Sequence, residues 1–529
     1  MCLILKYSHP KKTIIKNTEQ IRLYPDQIKV NGDKISFVTT NTINRQKSVY
    51  FGQLRSHDQK WMLQNYSRAI NLSLSAKLSR FKNPTNVNEF DIKKYYHYQG
   101  INQLVQISEL HMQPNDRSIS VSDLPHILRT GLLLRTAGLP VELRRYCLAL
   151  IIGFRDSDFY QAMIGSSKLG LMHVFSVSGM HVYYFLILLD KILLLIKLPN
   201  KLRIAIEVGS LIVYFQFAGG SPGLFRAVVM AVIGLLSQAF KFKVSNIDCW
   251  SLTLIMQLFV LPQAVYLLSV QLSYSLALGI IVTANWRMIS KTVMLNAISF
   301  PIIIYNFYEW HLLSIAATVI FLPILTSVIF PMVVLICIVG NGIFITTTCE
   351  WFIKLFNELI NQVGELPGMV VFGKPPLWLI ILELVLTYYL AVNGIANSKR
   401  AIMIIVSLYL GAFSWLHFPL TGEVTMIDVG QGDSFLIRQP FNRHVTLIDT
   451  GGKVHFKEQV WQRETQNYQA DRLGINFLKV LELVGLMKYV LVIKMQIIVA
   501  TCRHILIKCK LIVLSSLGVW IKIRALLNG

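Results

Sequence analysis

Between residues 169 and 417 the chain is a succession of long apolar stretches separated by short polar breaks. A bilayer needs ~20 mostly apolar residues per spanning helix. The stretches that qualify or come close are 171–198, 202–217, 224–240, 249–268, 272–283, 293–307, 312–339, 342–356, 377–392 and 401–416. Several are too short to span alone, so length gives about seven to ten spans. Only 15% of the chain is charged, against ~25% in a soluble domain. The first 130 residues have ordinary polar composition. A wholly soluble protein is excluded; the expectation is a polytopic α-helical membrane protein with water-facing domains attached.

The formal net charge is +23. In a soluble protein such an excess points to nucleic acid; here the loops between spans already account for much of it. Lys197, Lys201 and Arg203, then Lys241 and Lys243, then Arg287 and Lys291, then Lys399 and Arg400 cluster there, as they do on the cytoplasmic side of membrane proteins. Placing them inside puts the 219–223 turn, the start of the first span and the segment after Leu416 outside. The seven cysteines include no Cys-x-x-Cys pair, which argues against a disulfide framework and a zinc finger. Those that fall in expected spans read as small apolar residues. Residues 1–6 form too short an apolar run for a signal peptide.

Before the spans, Ile28 and Val30 alternate with polar residues, Asn31-Gly32 marks a hairpin, and Ile35, Phe37, Val49 and Phe51 continue the alternation. This pattern predicts a small β-barrel or sandwich. Residues 61–82 read as a polar helix, ended by Asn83-Pro84. In 91–100, Lys93, Lys94, Tyr95 and Tyr96 place stacking rings beside cations, a pattern suited to single-stranded nucleic acid; a solvated helix face over packed tyrosines fits equally. Residues 124–154, with Arg129, Arg135, Arg144 and Arg145, read as amphipathic segments at the membrane interface. After the spans, strands are expected at 424–427, 434–437 and 445–448, opening a further domain.

Two clusters interrupt the apolar core. His173, Ser176, Ser178, Gly179 and His181 fall in one expected span. Polar groups at that depth mark pathways or packed interfaces, and Ser178-Gly179 also suits close helix approach. The histidines are eight positions apart, too far along a helix for one metal ion. In Gly219-Gly220-Ser221-Pro222-Gly223, a flexible turn feeds a helix with Arg226 in its first turns. Irregular backbone at membrane depth is tolerated where it is buried or lines a cavity; an external loop with Arg226 at the interface is the alternative.

Gly170, His173, Ser178, Gly179, His181 and Val182 resemble the pattern Gly-x-x-His-Leu-Leu-Ala-Ile-Ser-Gly-Leu-His-Val of the ComEC-type competence channels. Ser221, Pro222, Arg226, Ala227 and Met230 are similar to a second segment of that family, Gln271-Leu272-Ser273 to a third, and Phe90-Asp91 to Gly100-Ile101 to the end of its OB-like domain. The resemblance implies a channel passing one DNA strand into the cytoplasm, with His173, Ser178, Gly179, His181, Ser221, Pro222 and Arg226 along the path.

Asp428, Gly430, Gln431, Gly432 and Asp433, followed by Asp449, Gly451 and Gly452, resemble the opening strands of the metallo-β-lactamase-like domain of the family. That fold binds metal through a later His- and Asp-rich run, due after a strand at 488–492. The chain reads Ile493-Lys494-Met495-Gln496 instead. One base earlier, the codons of 492–501 permit His-x-Asp-Ala-Asp-His-x-Gly-Asp. The expectation is a single-base deletion near codon 492, leaving 493–529 as an out-of-frame tail; sequencing the locus tests it, and an unrelated neighbouring frame would sink it. The family also opens with membrane helices that do not precede this first domain, so truncation at both ends is expected.

The expected organisation is therefore an OB-like β domain with a preceding tail (1–110), interfacial helices (111–168), a transmembrane competence domain (169–417), an incomplete α/β metallo-β-lactamase-like domain (418–492) and the tail (493–529). The expected function is translocation of single-stranded DNA across the plasma membrane by a multi-pass protein. The alternatives are a small-solute or ion transporter and a non-functional remnant of the channel. No catalytic residue, metal site or cofactor is assigned, although an intact terminal domain would take a divalent metal. Expected partners are single-stranded DNA, membrane lipid, a DNA receptor, a cytoplasmic helicase and a second copy of the chain.

Overall fold

A computed structural model describes residues 18–41, 45–115, 119–340, 342–394, 399–429, 433–448, 459–462 and 487–490, in two compact units. The first is a β domain. Its strands are β1 (Thr18–Leu23), β2 (Lys29–Asn31), β3 (Lys34–Thr40), β4 (Lys47–Gln53), β5 (Ile70–Ser79) and β6 (Gln103–Pro114), with helices α1 (His57–Asn65), α2 (Ile92–Tyr98) and α3 (Leu124–Arg135). The sheet order is β1-β5-β6-β4-β3-β2. All neighbours are antiparallel except β4 with β6. If β1 and β2 count as two pieces of one strand, separated by the turn at Pro25–Gln27, the order becomes that of a five-stranded OB barrel, with α1 between its third and fourth strands. Alternation drives closure: Ile70, Leu72, Leu74 and Ala76 point inward with Ile21, Leu23, Ile35, Phe37 and Tyr50, all buried.

Residues 61–82 are thus corrected. Only His57–Asn65 is helical, and Ile70–Ser79 is the strand that joins β1 to β6. Leu, Ala, Ser and Lys carry no strong strand preference, but the period-two apolar face of this segment is what the barrel core selects.

Polar side chains seal the ends of the barrel. Glu19 accepts from Asn41 Nδ2 at 3.1 Å and from the Tyr50 hydroxyl at 2.9 Å. Burial and the Glu19 carboxylate push the Tyr50 phenol well above its ordinary range. Helix α3 is fastened by buried Asp26, which meets His126 Nδ1 at 3.0 Å and Arg129 Nε at 2.9 Å. Arg22 pairs with Asp123 at 2.8 Å. The Ser120 N–H, and then Arg22, hold the Asp123 carboxyl below the usual carboxylate range.

The second unit is mostly helical. It comprises α4 (Val141–Cys147), α5 (Phe159–Ala162), α6 (Ile164–Lys168), α7 (Gly179–Leu195), α8 (Asn200–Phe217), α9 (Pro222–Phe240), α10 (Asn246–Val260), α11 (Leu268–Val282) and α12 (Met288–Phe307). Then follow β7 (Glu309–His311), α13 (Ser314–Ile324), α14 (Phe330–Val339), α15 (Ile343–Glu365), β8 (Met369–Val371), α16 (Leu377–Asn393) and α17 (Lys399–His417). Among the described residues, five helical segments are long and apolar enough to cross a membrane: Leu171–Leu195, Pro222–Phe240, Met288–Phe307, Ser314–Ile338 and Lys399–His417. Asn246–Val260, Leu268–Val282 and Leu377–Asn393 are shorter apolar helices. The protein is a polytopic membrane protein with an N-terminal β domain. Up-and-down connectivity from α7 onward brings the four basic loop clusters to one end of the helices. The β7–β8 pair lies at the other end.

The 342–356 stretch, expected as a span, is the first part of α15. That helix is not among the spanning segments because polar residues recur along it at helical spacing. Glu350 Oε2 accepts from Leu143 N at 2.8 Å, Asn357 Nδ2 donates to Glu142 Oε2 at 2.9 Å, and Asn361 Oδ1 accepts from Gly165 N at 3.0 Å. Glycine is required at 165, since a Cβ there would lie 2.4 Å from Asn361 Oδ1. This polar row fastens the 139–168 segment. Of the region expected at the membrane interface, Leu124 and Leu128 are exposed, while Leu143, Tyr146, Cys147, Leu148, Ala149 and Leu150 are fully buried. That burial takes the second half of the region into the core rather than along a surface.

The unit ends in a four-stranded sheet of order β12-β11-β10-β9, built from β9 (Glu423–Asp428), β10 (Asp433–Arg438), β11 (Val445–Ile448) and β12 (Met487–Val490). Strand β12 is parallel to β11 and the other pairs are antiparallel.

Candidate functional site

Helix α7 begins where the chain turns at Val177-Ser178. Ser178 caps the helix, and His181, three residues on, folds back: its Nδ1 accepts from Ser178 N at 3.0 Å and lies 3.0 Å from Ser178 Oγ. An Nδ1 that accepts leaves the ring proton on Nε2. That Nε2 is buried without a hydrogen-bond partner. The ring packs edge-to-face on Phe330, with centroids 4.7 Å apart.

Helix α9 begins after Gly219 and Gly220, both in the left-handed region, where the missing Cβ matters. Ser221 caps it and Pro222 occupies its first position. The next residue, Gly223, lets α11 approach: a Cβ there would lie 3.2 Å from Ser269 O. One turn further, Arg226 Nε donates to Ser273 Oγ at 2.7 Å, and Ser273 Oγ donates to Gly223 O at 3.0 Å. Arg226 Nη1 lies 3.4 Å from Met230 Sδ. Among the described residues no carboxylate pairs with this guanidinium. Its other nitrogen faces α7, where a Cβ on Gly179 would lie 3.3 Å from Nη2 and 3.5 Å from Ala227 Cβ.

Three separate segments therefore meet at one cation. The structure brings together Ser178, Gly179, His181 and Arg226, with Ser221 and Pro222 starting the helix that carries Arg226. His173 stands apart on an exposed turn, where its Nδ1 donates to Gly170 O at 2.9 Å. Ser273 holds Arg226, and Phe330 packs on His181. Neither was assigned a site role from the sequence; the signal for Ser273 was a Gln271-Leu272-Ser273 run inside an apolar helix, and Phe330 carried none.

In the β domain, Lys93, Lys94, Tyr95 and Tyr96 lie on α2, between β5 and β6. Tyr96 stacks on Phe81 at 5.6 Å and meets Phe51 edge-on at 6.4 Å; burial raises its phenol. Lys93 and Lys94 are exposed and Tyr95 is 42% exposed. The residues thus divide between packed ring and exposed cations.

In the terminal sheet, Asp428 and Asp433 are register partners on β9 and β10. The Asp428 backbone is held on both sides by the Asn86 amide: Nδ2 donates to Asp428 O and Asp428 N donates to Oδ1, each at 2.8 Å. Gly430, Gln431, Gly432, Asp449, Gly451 and Gly452 lie outside the described residues. Among the described residues no group of three His, Cys, Asp or Glu side chains is placed to hold a metal ion.

The competence protein family matches residues 150–395, which contain the whole Arg226 cluster. The chain is 23% identical over 475 residues to the ComE operon protein 3 of Bacillus subtilis (strain 168), covering 85% of this chain and 60% of that protein. It thus spans about 60% of the length of that relative. No solved structure matches.

Proposed function

We propose that the chain, which matches the competence protein family over residues 150–395 and is similar to the ComE operon protein 3, is a channel of the ComEC type and forms a passage for single-stranded DNA across the plasma membrane. The observation that supports this most is Arg226, a guanidinium with no carboxylate partner among the described residues, held by Ser273 at the junction of α7, α9 and α11. A cation kept unneutralised at membrane depth calls for an anion, and a phosphodiester chain supplies one at every step. The Ser178–His181 cap and Gly179 set how closely α7 approaches that cation. On the β domain, Lys93, Lys94 and Tyr95 of α2 are the proposed first contacts. They lie between the fourth and fifth barrel strands, where OB folds take oligonucleotides. The terminal sheet is read as a metallo-β-lactamase-like element, with Asp428 and Asp433 as framework residues and no hydrolytic role. A DNA receptor, a helicase and a second copy of the chain remain the proposed partners.

The test is binding of a fluorescent single-stranded oligonucleotide to the full chain in lipid nanodiscs across a salt series. Arg226→Gln should flatten the dependence of log K on log salt by about one phosphate equivalent. An unchanged slope removes Arg226 from the path. Competition by small anions at equal charge concentration would favour the solute-transporter reading instead.

A further inference from the structure

Glu383 is the one charged residue of helix α16, and it is 0% exposed. Both carboxylate oxygens are buried without a hydrogen-bond partner. It lies between two apolar clusters. One holds Leu379, Ile304, Phe372 and Ala412; the other holds Leu390, Met294, Ile298 and Ala401. Helices α11, α12 and α17 pack against α16. From α17, Tyr409 comes near the carboxyl, but its hydroxyl does not meet hydrogen-bond geometry. The ring of Tyr409 is held by Phe300 at 4.9 Å and Phe372 at 6.0 Å. The other ionisable groups on these helices are engaged or remote. Tyr274 of α11 donates to Thr253 O, Tyr305 of α12 lies under Lys374, and Lys291 is half-buried near the start of α12. Lys399 and Arg400 are exposed at the start of α17, and His417 at its other end bonds Phe413 O at 2.9 Å. On α16 itself, Tyr388 donates to Ser275 O at 2.7 Å. Among the described residues no cation pairs with Glu383.

The facing helix α12 contains Pro301, which has no N–H to give the Ala297 carbonyl one turn below. An isolated carboxylate charge in such surroundings is costly by several kcal/mol. We propose that Glu383 is a proton-binding site of the membrane domain: the acid form is compatible with the packed α12–α16–α17 arrangement, and release of the proton places an unpaired charge between those helices and loosens them. Its ligand is the proton itself, and its state is read out by the seating of α16. The inference is independent of what passes the Arg226 cluster.

The experiment treats the full chain in lipid vesicles with dicyclohexylcarbodiimide across a pH series and reads adducts by peptide mass spectrometry. A protonated carboxyl gives its proton to a carbodiimide nitrogen, its oxygen bonds the central carbon, and in a water-free site rearrangement leaves a stable N-acylurea. Glu383 should be modified at low pH, with modification falling about tenfold between pH 6 and pH 10, the range in which buried glutamates titrate. Glu350, similarly buried but bonded to Leu143 N and paired with Lys354, should stay unmodified. Glu383→Gln, which keeps the shape of the acid, should reach wild-type abundance in the membrane and lose the adduct. An unmodified Glu383 at every pH, or a level of adduct flat across the series, overturns the proposal.

Discussion

Arg226 is held by one hydroxyl and one thioether, and that choice of partners is what separates it from a structural ion pair. A buried cation meant only to pack would be stabilised by a carboxylate. Ser273→Ala should leave both Arg226 Nε and Gly223 O without their partner and destabilise the α9–α11 contact by about 1–3 kcal/mol. Thermal unfolding of the chain in detergent should show this as a lowered midpoint. Arg226→Lys keeps the charge but loses the planar donor that reaches Ser273, so it should retain the salt slope of oligonucleotide binding while weakening the affinity. Gly179→Val should displace the guanidinium, because even a Cβ would lie 3.3 Å from Nη2; the expected readout is a loss of oligonucleotide affinity with little change in membrane abundance. His173 shows the limit of sequence at this scale. Proximity in the chain placed it with His181, but a turn between 171 and 178 separates them, and no composition signal marks such a turn in an apolar run.

Elements divide according to how much their local pattern matches their tertiary setting. The strands at 424–427, 434–437 and 445–448 were legible because the alternation and the intervening turns agree. Strand β5 was not, since its leucines, alanine and serines read as a helix until β1 and β6 are present to pair with it. Leu72 at 0% exposure measures what that pairing secures; Leu72→Ala should cost about 2–5 kcal/mol, seen as faster hydrogen exchange across β1, β5 and β6. Helix α3 makes a pH prediction. The Asp123 carboxyl ionises more readily in the folded chain than in the unfolded one. Its pairing with Arg22 therefore stabilises the α3 attachment at neutral pH and is lost as pH falls through the folded value. Exchange in 120–135 should rise on acidification, and Asp123→Asn should show the raised exchange already at pH 7 and flatten its pH dependence. For α15, local hydropathy lends its first half the look of a span, and only the polar row facing 139–168 shows why polar residues recur along it.

For the whole molecule, the membrane core was the most legible part, because hydropathy and length act on each segment without help from distant ones. The Arg226 cluster was legible only as three separate motifs; their meeting depends on how α7, α9 and α11 pack, which no local pattern encodes. The alternation of helices sets a topology that can be checked by single cysteines in a cysteine-free background. Position 243 should react only from the cytoplasmic side and position 220 only from outside, and the same sidedness at both would break the arrangement. The central claim, passage of a DNA strand past Arg226, is tested most directly by uptake of labelled DNA. A strain deleted for its own competence channel would carry either this gene or its Arg226→Gln form, at matched membrane abundance. Uptake restored by this gene and reduced at least about tenfold by a substitution worth more than ~1.4 kcal/mol is the predicted result. Equal uptake with both forms would contradict it.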